Sequence, residues 1–113
     1  MRTLKFLAAL LASACCIPPA LAADGSVTIS SPANGAKLGR TAQNKISYEI
    51  IPGPGGDHVH LYVDGKQTAV LHQMKDSSPL DPMAAGSHEI CIKVVNKGHT
   101  PTGVQQCIKV SVE

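Results

Sequence analysis

The chain has 113 residues, with ten Lys or Arg against eight Asp or Glu, five His and no Trp. This length allows one domain. Two of the basic residues, Arg2 and Lys5, stand at the extreme N-terminus, so the remainder carries equal numbers of each sign. The composition therefore gives no basic surface for nucleic acid or anionic lipid, and aliphatic side chains must fill the core.

The N-terminal segment has the construction of a secretory signal peptide. Two basic residues in "MRTLK" precede an apolar run over residues 7–17, and "ALA" follows as a small-x-small cleavage site. The run is shorter than the roughly 20 apolar residues of a membrane helix. We predict cleavage after Ala22, which divides the chain into a signal peptide (1–22) and a periplasmic or secreted domain (23–113) with no membrane association.

A lipoprotein signal is the alternative, with Cys15 or Cys16 carrying the lipid. The sequence "ASAC" lacks the usual leucine three positions before the cysteine, so this alternative fits less well.

Two cysteines, Cys91 and Cys107, remain after the predicted cleavage. An even pair in an exported chain predicts a disulfide. The bond would contribute about 3 kcal/mol in the loop-entropy model. That matters here, because a domain of this size buries too little surface for its core alone to be strongly stabilising.

The remaining sequence predicts short strands separated by turn residues, and no segment shows a helical period. The segment over residues 76–87 is predicted to be an irregular connection. Six or seven strands at this spacing predict an all-β, immunoglobulin-like sandwich of about seven antiparallel strands. The clearest predicted strands cover residues 26–30, 45–51, 58–63, 67–74, 88–95 and 105–112.

Three motifs carry a family resemblance: "ISSPANGAKL", "LYVDGK" and "AAGSHEICIKVVN". Together they resemble the bacterial immunoglobulin-like domains of secreted and surface proteins, over most of residues 23–113. The resemblance implies the sandwich fold and a spacer, accessory or binding role. The chain departs from the family in its "HVH" motif, and it lacks the Met-rich motifs of copper carriers.

The side chains of His58, His60 and Tyr62 are predicted to share one face of their strand, because side chains alternate along a strand. Val59 and Leu61 occupy the other face, which should pack in the core. The imidazoles are therefore predicted to point outward.

The hairpin at Asp64-Gly65 decides whether a third histidine joins them. A two-residue turn would direct His72 to the other face. A three-residue loop with a bulge at Gly65 would place Leu71 in the core and His72 beside His58, and this pairing is preferred because it buries Leu71.

The histidines His58, His60 and His72 form the predicted metal site. Imidazole is a common ligand of copper and zinc, so these are the predicted metals. Additional ligands could come from Asp57, Met74 or Glu89, and a thiolate site with the two cysteines would require them to be reduced. The alternative is that these histidines are polar residues on a solvated sheet face, with no cofactor. The loop residue His99 is predicted to be exposed, and His88 to bond locally.

No pattern predicts catalysis. No serine lies in a nucleophile elbow, and the prolines of "PGPGG" remove N–H groups that a phosphate would need. We predict an exported, non-catalytic binding or accessory domain, and alternatively a small periplasmic copper- or zinc-binding protein. A third possibility is a module that binds another exported protein through the loops "PGPGG" and "NKGHTPTG" or through a sheet edge.

Overall fold

The computed structural model describes residues 25–113. The predicted signal peptide (1–22), its cleavage site after Ala22 and the alternative lipidation at Cys15 or Cys16 lie outside the described residues. Within the described part of the chain, no helix is long and apolar enough to cross a membrane.

Eight strands form two sheets. The smaller sheet has the order β1-β3-β6 and the larger has the order β2-β8-β7-β4-β5. All pairs are antiparallel except β2 with β8. The strands are β1 (Ser26–Ser31), β2 (Lys37–Leu38), β3 (Lys45–Ile51), β4 (His58–Val63), β5 (Lys66–Leu71), β6 (Lys75–Pro79), β7 (Gly86–Val95) and β8 (Pro101–Val112).

Two of these strands were not predicted. Strand β6 lies largely in the segment expected to be irregular, where it pairs with β3 at the edge of the smaller sheet. It consists of four polar residues followed by a proline, so it has no apolar alternation, and only an edge strand tolerates the proline. Strand β2 contributes two residues beside β8. A polar edge strand such as β6 leaves no hydrophobic signal in the sequence, and a strand of two residues such as β2 is too short to show alternation.

The core lies between the two sheets and follows the predicted alternation. From β4, the side chains of Val59 and Leu61 are buried in it. The buried Tyr48 also donates a hydrogen bond from its hydroxyl to the carbonyl oxygen of Gln73 at 3.1 Å. Other core residues from the strands are Val27, Ile46, Ile50, Ile90, Ile92, Val94, Ile108, Val110 and Val112.

The hairpin between β4 and β5 combines features of both predicted alternatives. Asp64 and Gly65 form a two-residue turn, with φ values of 53° and 82°, the left-handed conformations that a type I′ turn requires. The register then shifts within β5, because Tyr62 pairs with Gln67 whereas Leu61 pairs with Ala69.

This shift produces the preferred register by a different route. Thr68 is the extra residue, so the irregularity lies at Thr68 and not at Gly65 as predicted. Beyond it, Val59 pairs with Leu71, and Leu71 packs against the core. The predicted placement of His72 beside His58 follows from this register.

The turn residue Asp64 also connects β4 to β7. One carboxylate oxygen accepts the backbone N–H of Glu89 at 2.9 Å, and the other accepts Nδ1–H of His88 at 2.6 Å. The second ring nitrogen of His88 lies 2.6 Å from the carbonyl oxygen of Ala84. Since both nitrogens face acceptors, the doubly protonated imidazolium satisfies both contacts.

The hydrogen bond to Asp64, followed by that to Ala84, raises the pKa of His88 above 6.5. The stabilising contribution of His88 is therefore complete below pH 6.5 and is lost as the pH rises through the raised pKa. As the pH rises from 6.5 through the raised pKa, we expect the unfolding free energy of wild type to fall by up to about 1 kcal/mol relative to that of His88→Gln. The value is small because Asp64 is half exposed. Urea denaturation of both proteins at several pH values measures the difference. A constant difference across the range would contradict the assignment of a charged His88.

Candidate metal centre

Three histidine side chains converge on the outer face of the larger sheet. Nε2 of His58 lies 3.2 Å from Nε2 of His60 and 3.1 Å from Nδ1 of His99. Nε2 of His60 lies 3.2 Å from Nδ1 of His99. The three nitrogens thus form a nearly equilateral triangle.

Strand β4 supplies two of these histidines by simple alternation. His58 and His60 are two residues apart, so they project from the same face, while Val59 between them enters the core. Strand β7 supports β4 from one side, with Val95 opposite His58 in the register. As its direct partner, Val95 lies on the same outer face as His58, and it is fully buried, so an apolar side chain borders the imidazole on that side.

The loop between β7 and β8 supplies the third histidine. Within it, the side-chain oxygen of Asn96 accepts the backbone N–H groups of Gly98 at 2.8 Å and Thr100 at 3.0 Å. His99 donates its own N–H to the carbonyl oxygen of Asn96 at 2.9 Å and has a φ of 66°. The side chain of Asn96 thus holds the loop in a tight turn that directs His99 toward β4.

The two strand histidines are buried, contrary to the expectation of a solvated sheet face. His58 is 4% exposed and His60 is 3% exposed, whereas His99 is exposed. The prediction that the imidazoles point away from the core is correct. The loop that carries His99 contacts both rings, and sequence alternation alone cannot indicate such a cover.

The predicted ligand His72 lies near this triangle but outside it. Its ring centroid is 5.4 Å from that of His58, and its side chain is exposed. The group of potential ligand atoms within 4.8 Å of one another comprises His58, His60 and His99. The converging group in the structure thus contains His99, whereas the predicted metal site contained His72.

The other suggested ligands serve different roles. Met74 packs against the core. Glu89 is grouped with Cys91 and Cys107, and not with the histidines. Asp57 contacts the site indirectly, through the distal nitrogen of His58.

Both strand histidines have a partner on the nitrogen that faces away from the triangle. Nδ1–H of His58 donates to the carboxylate of Asp57 at 2.8 Å, and Nδ1 of His60 lies 3.5 Å from the hydroxyl of Tyr62. A proton on Nδ1 of His58 leaves a lone pair on Nε2, directed into the triangle. Carboxylate–histidine pairs of this kind orient metal-ligating imidazoles.

Burial also favours the neutral form of one of these rings. It lowers the pKa of His60, and the neighbouring His58 and His99 lower it further. A neutral imidazole is the form that binds a metal ion, since a protonated nitrogen has no lone pair to donate.

Hydrogen bonds alone cannot satisfy this triangle. In each contact one nitrogen must donate and the other must accept, yet each nitrogen carries either a proton or a lone pair. Any assignment for three mutually adjacent nitrogens leaves at least one pair with two donors or two acceptors. A cation bound by three lone pairs satisfies all three nitrogens at once.

The size of the triangle fits tetrahedral coordination. With metal–nitrogen bonds of about 2.05 Å, tetrahedral angles place two ligand nitrogens about 3.3 Å apart. Three corners of a square plane would instead require one pair about 4.1 Å apart. The observed separations of 3.1 to 3.2 Å match the tetrahedral arrangement.

The predicted disulfide between Cys91 and Cys107 is present, with an S–S distance of 2.04 Å. The two cysteines are direct partners in the register of β7 and β8. Their sulfurs bond to each other, so the suggested thiolate site is not formed. The covalent loop includes the segment that carries His99.

Comparisons with known proteins define the fold class. No protein-family model matches the chain, and no curated protein sequence matches it. Among solved structures, the chain is similar to fibronectin(III)-like modules of CbhA from Clostridium thermocellum. The TM-score is 0.64 at 17% identity, covering 77% of this chain and 96% of that one. The protein is thus an all-β sandwich of the immunoglobulin and fibronectin type, as predicted.

Two further structures are similar at lower scores. The CARDB domain of PF1109 from Pyrococcus furiosus, solved in complex with di-metal ions, has a TM-score of 0.50 at 18% identity, covering 80% of this chain and 88% of that one. A lytic polysaccharide monooxygenase from Jonesia denitrificans has a TM-score of 0.51 at 15% identity, covering 70% and 58%. At these identities the likenesses establish the fold only.

Proposed function

We propose that residues 25–113 form a non-catalytic domain of an exported protein that binds one zinc or copper ion through His58, His60 and His99. The observation that carries this proposal is the triangle of three imidazole nitrogens at 3.1 to 3.2 Å. Two of its members are more than nine-tenths buried. A buried imidazole without a satisfied partner is costly, and a bound cation removes that cost.

Zinc fits the geometry better than square-planar Cu(II). Zinc has no electronic preference against the tetrahedral arrangement, and three nitrogen ligands at this spacing occupy one face of a tetrahedron. Copper(II) generally binds nitrogen ligands more tightly than zinc does, so it competes for the same three histidines. Which ion the domain carries then depends on the supply of metal as well as on affinity.

Export and accessory function belong to the same proposal. The disulfide agrees with an oxidising compartment, in which such bonds persist. The loop residues 55–57 and 96–98, which adjoin His58 and His99 in the sequence, line one surface depression. We propose that a partner of the domain is another exported protein and that it approaches at these loops.

Zinc titration by calorimetry tests the proposed function. Wild-type protein is expected to bind one zinc ion per chain, and His58→Ala/His60→Ala is expected to bind none with comparable affinity. The matched control is His88→Ala, which removes a histidine that bonds to Asp64, outside the triangle. Equal zinc binding by wild type and the double variant, or loss of binding in His88→Ala, would contradict the proposal.

A further inference from the structure

The three histidines lie on one side of any ion they bind. For bonds of about 2.05 Å, a triangle of this size places the ion about 0.9 Å out of the plane of the nitrogens. The three ligands then occupy one face of the coordination sphere. The opposite position needs a fourth ligand from elsewhere.

The described residues provide no fourth histidine, cysteine or carboxylate for that position. Residues 25–113 contribute only His58, His60 and His99 to this group of ligand atoms. The nearby carboxylate of Asp57 is engaged with the distal nitrogen of His58. The ring of His72 lies next to that of His58, with the two ring centroids 5.4 Å apart, and it does not belong to the converging group.

The loop that carries His99 faces solvent. His58 and His60 are buried, but His99 and the nearby Lys97 are exposed. An open depression of about 420 Å³ is lined by residues of the same loop and of the segment before His58, including Asp57, Asn96 and Lys97, and by none of the three histidines. A small molecule therefore has space to approach the loop that completes the metal site.

The local charge indicates which kind of molecule would bind as the fourth ligand. A divalent ion with three neutral imidazoles carries two positive charges, and the carboxylate of Asp57 offsets one of them. Lys97 lies in the loop, and Nζ of Lys93 lies 4.6 Å from the ring centroid of Tyr62, which neighbours His60. An uncompensated positive charge beside low-dielectric walls attracts an anion.

We propose that the bound metal keeps its fourth coordination position for an exogenous small anion, hydroxide or another monodentate anion, which the domain itself does not supply. This inference depends on the proposed function. It assigns to the site an anion-binding property in addition to metal binding. Open positions of this kind distinguish metal sites with three protein ligands from closed structural sites with four.

The test uses the purified protein loaded with Co²⁺. This ion adopts the same coordination geometry as zinc and absorbs visible light. Cobalt uptake is first recorded by itself, and azide is then titrated as the anion. We expect a saturable change in the cobalt absorption bands with one azide per metal, in wild type and in His72→Ala alike. Azide added to metal-free protein is the blank.

Two results would overturn the inference while leaving metal binding intact. If wild type shows no azide response but His72→Ala does, His72 occupies the fourth position. If cobalt binds and neither protein responds to azide, the coordination sphere is closed by another group. Failure of cobalt to bind at all is seen before azide is added, and it overturns the proposed function together with this inference.

Discussion

Replacing His99 with alanine is expected to weaken zinc binding by more than about 100-fold. Loss of an outer-shell partner costs up to about 100-fold in metal affinity, and loss of a direct ligand should cost more. The reason is geometric, because Nδ1 of His99 lies within 3.2 Å of the facing nitrogens of both His58 and His60. Its loss leaves two ligands, too few to hold zinc in a defined site. Competition titration with a zinc chelator measures the change.

The matched control is His72→Ala, expected to change the zinc affinity by less than about threefold. His72 is also a histidine beside His58, but it is exposed and outside the converging group. The two variants therefore distinguish the proposed site with His99 from the site with His72 that the sequence predicted. A large loss in His72→Ala together with unchanged binding in His99→Ala would contradict the structural assignment.

Removing the disulfide with Cys91→Ala/Cys107→Ala is expected to lower the unfolding free energy by about 3 kcal/mol. The bond closes a loop with a sequence separation of 16, which restricts the unfolded chain. Such a loss is a large part of the stability of a small domain. Urea denaturation of metal-free protein measures it, since bound zinc would add its own stabilisation.

Wild type treated with a thiol reductant serves as the control for this variant. Because reduction removes the covalent link and keeps the side chains, a similar loss is expected in both samples. A change below about 0.5 kcal/mol in both would show that the covalent loop contributes little to stability, contrary to the loop-entropy argument.

The fold was largely predictable because its signals are local. Alternation placed Val59 and Leu61 in the core and turned His58 and His60 away from it, and the structure agrees. An even pair of cysteines, in a chain predicted to be exported, predicted the disulfide, which is present. Strand β6 was missed, since a polar edge strand needs no apolar face.

The site was only partly predictable because its third member comes from a distant loop. His99 is 39 residues from His60 along the chain, and its position depends on the turn held by Asn96. A single histidine in a Gly-containing loop carries no spacing signal. His72 was preferred because register within one hairpin can be deduced from sequence, whereas the path of a loop across a sheet cannot.

Zinc coordination by the three histidines can be observed directly in a long-range ¹H–¹⁵N NMR spectrum of the imidazoles, recorded before and after one equivalent of zinc is added. We expect metal-bound shifts for Nε2 of His58, Nε2 of His60 and Nδ1 of His99. The ring nitrogens of His72 and His88 should keep their metal-free shifts. Unchanged signals from all five histidines, or a metal-bound shift at His72 in place of His99, would contradict the central claim.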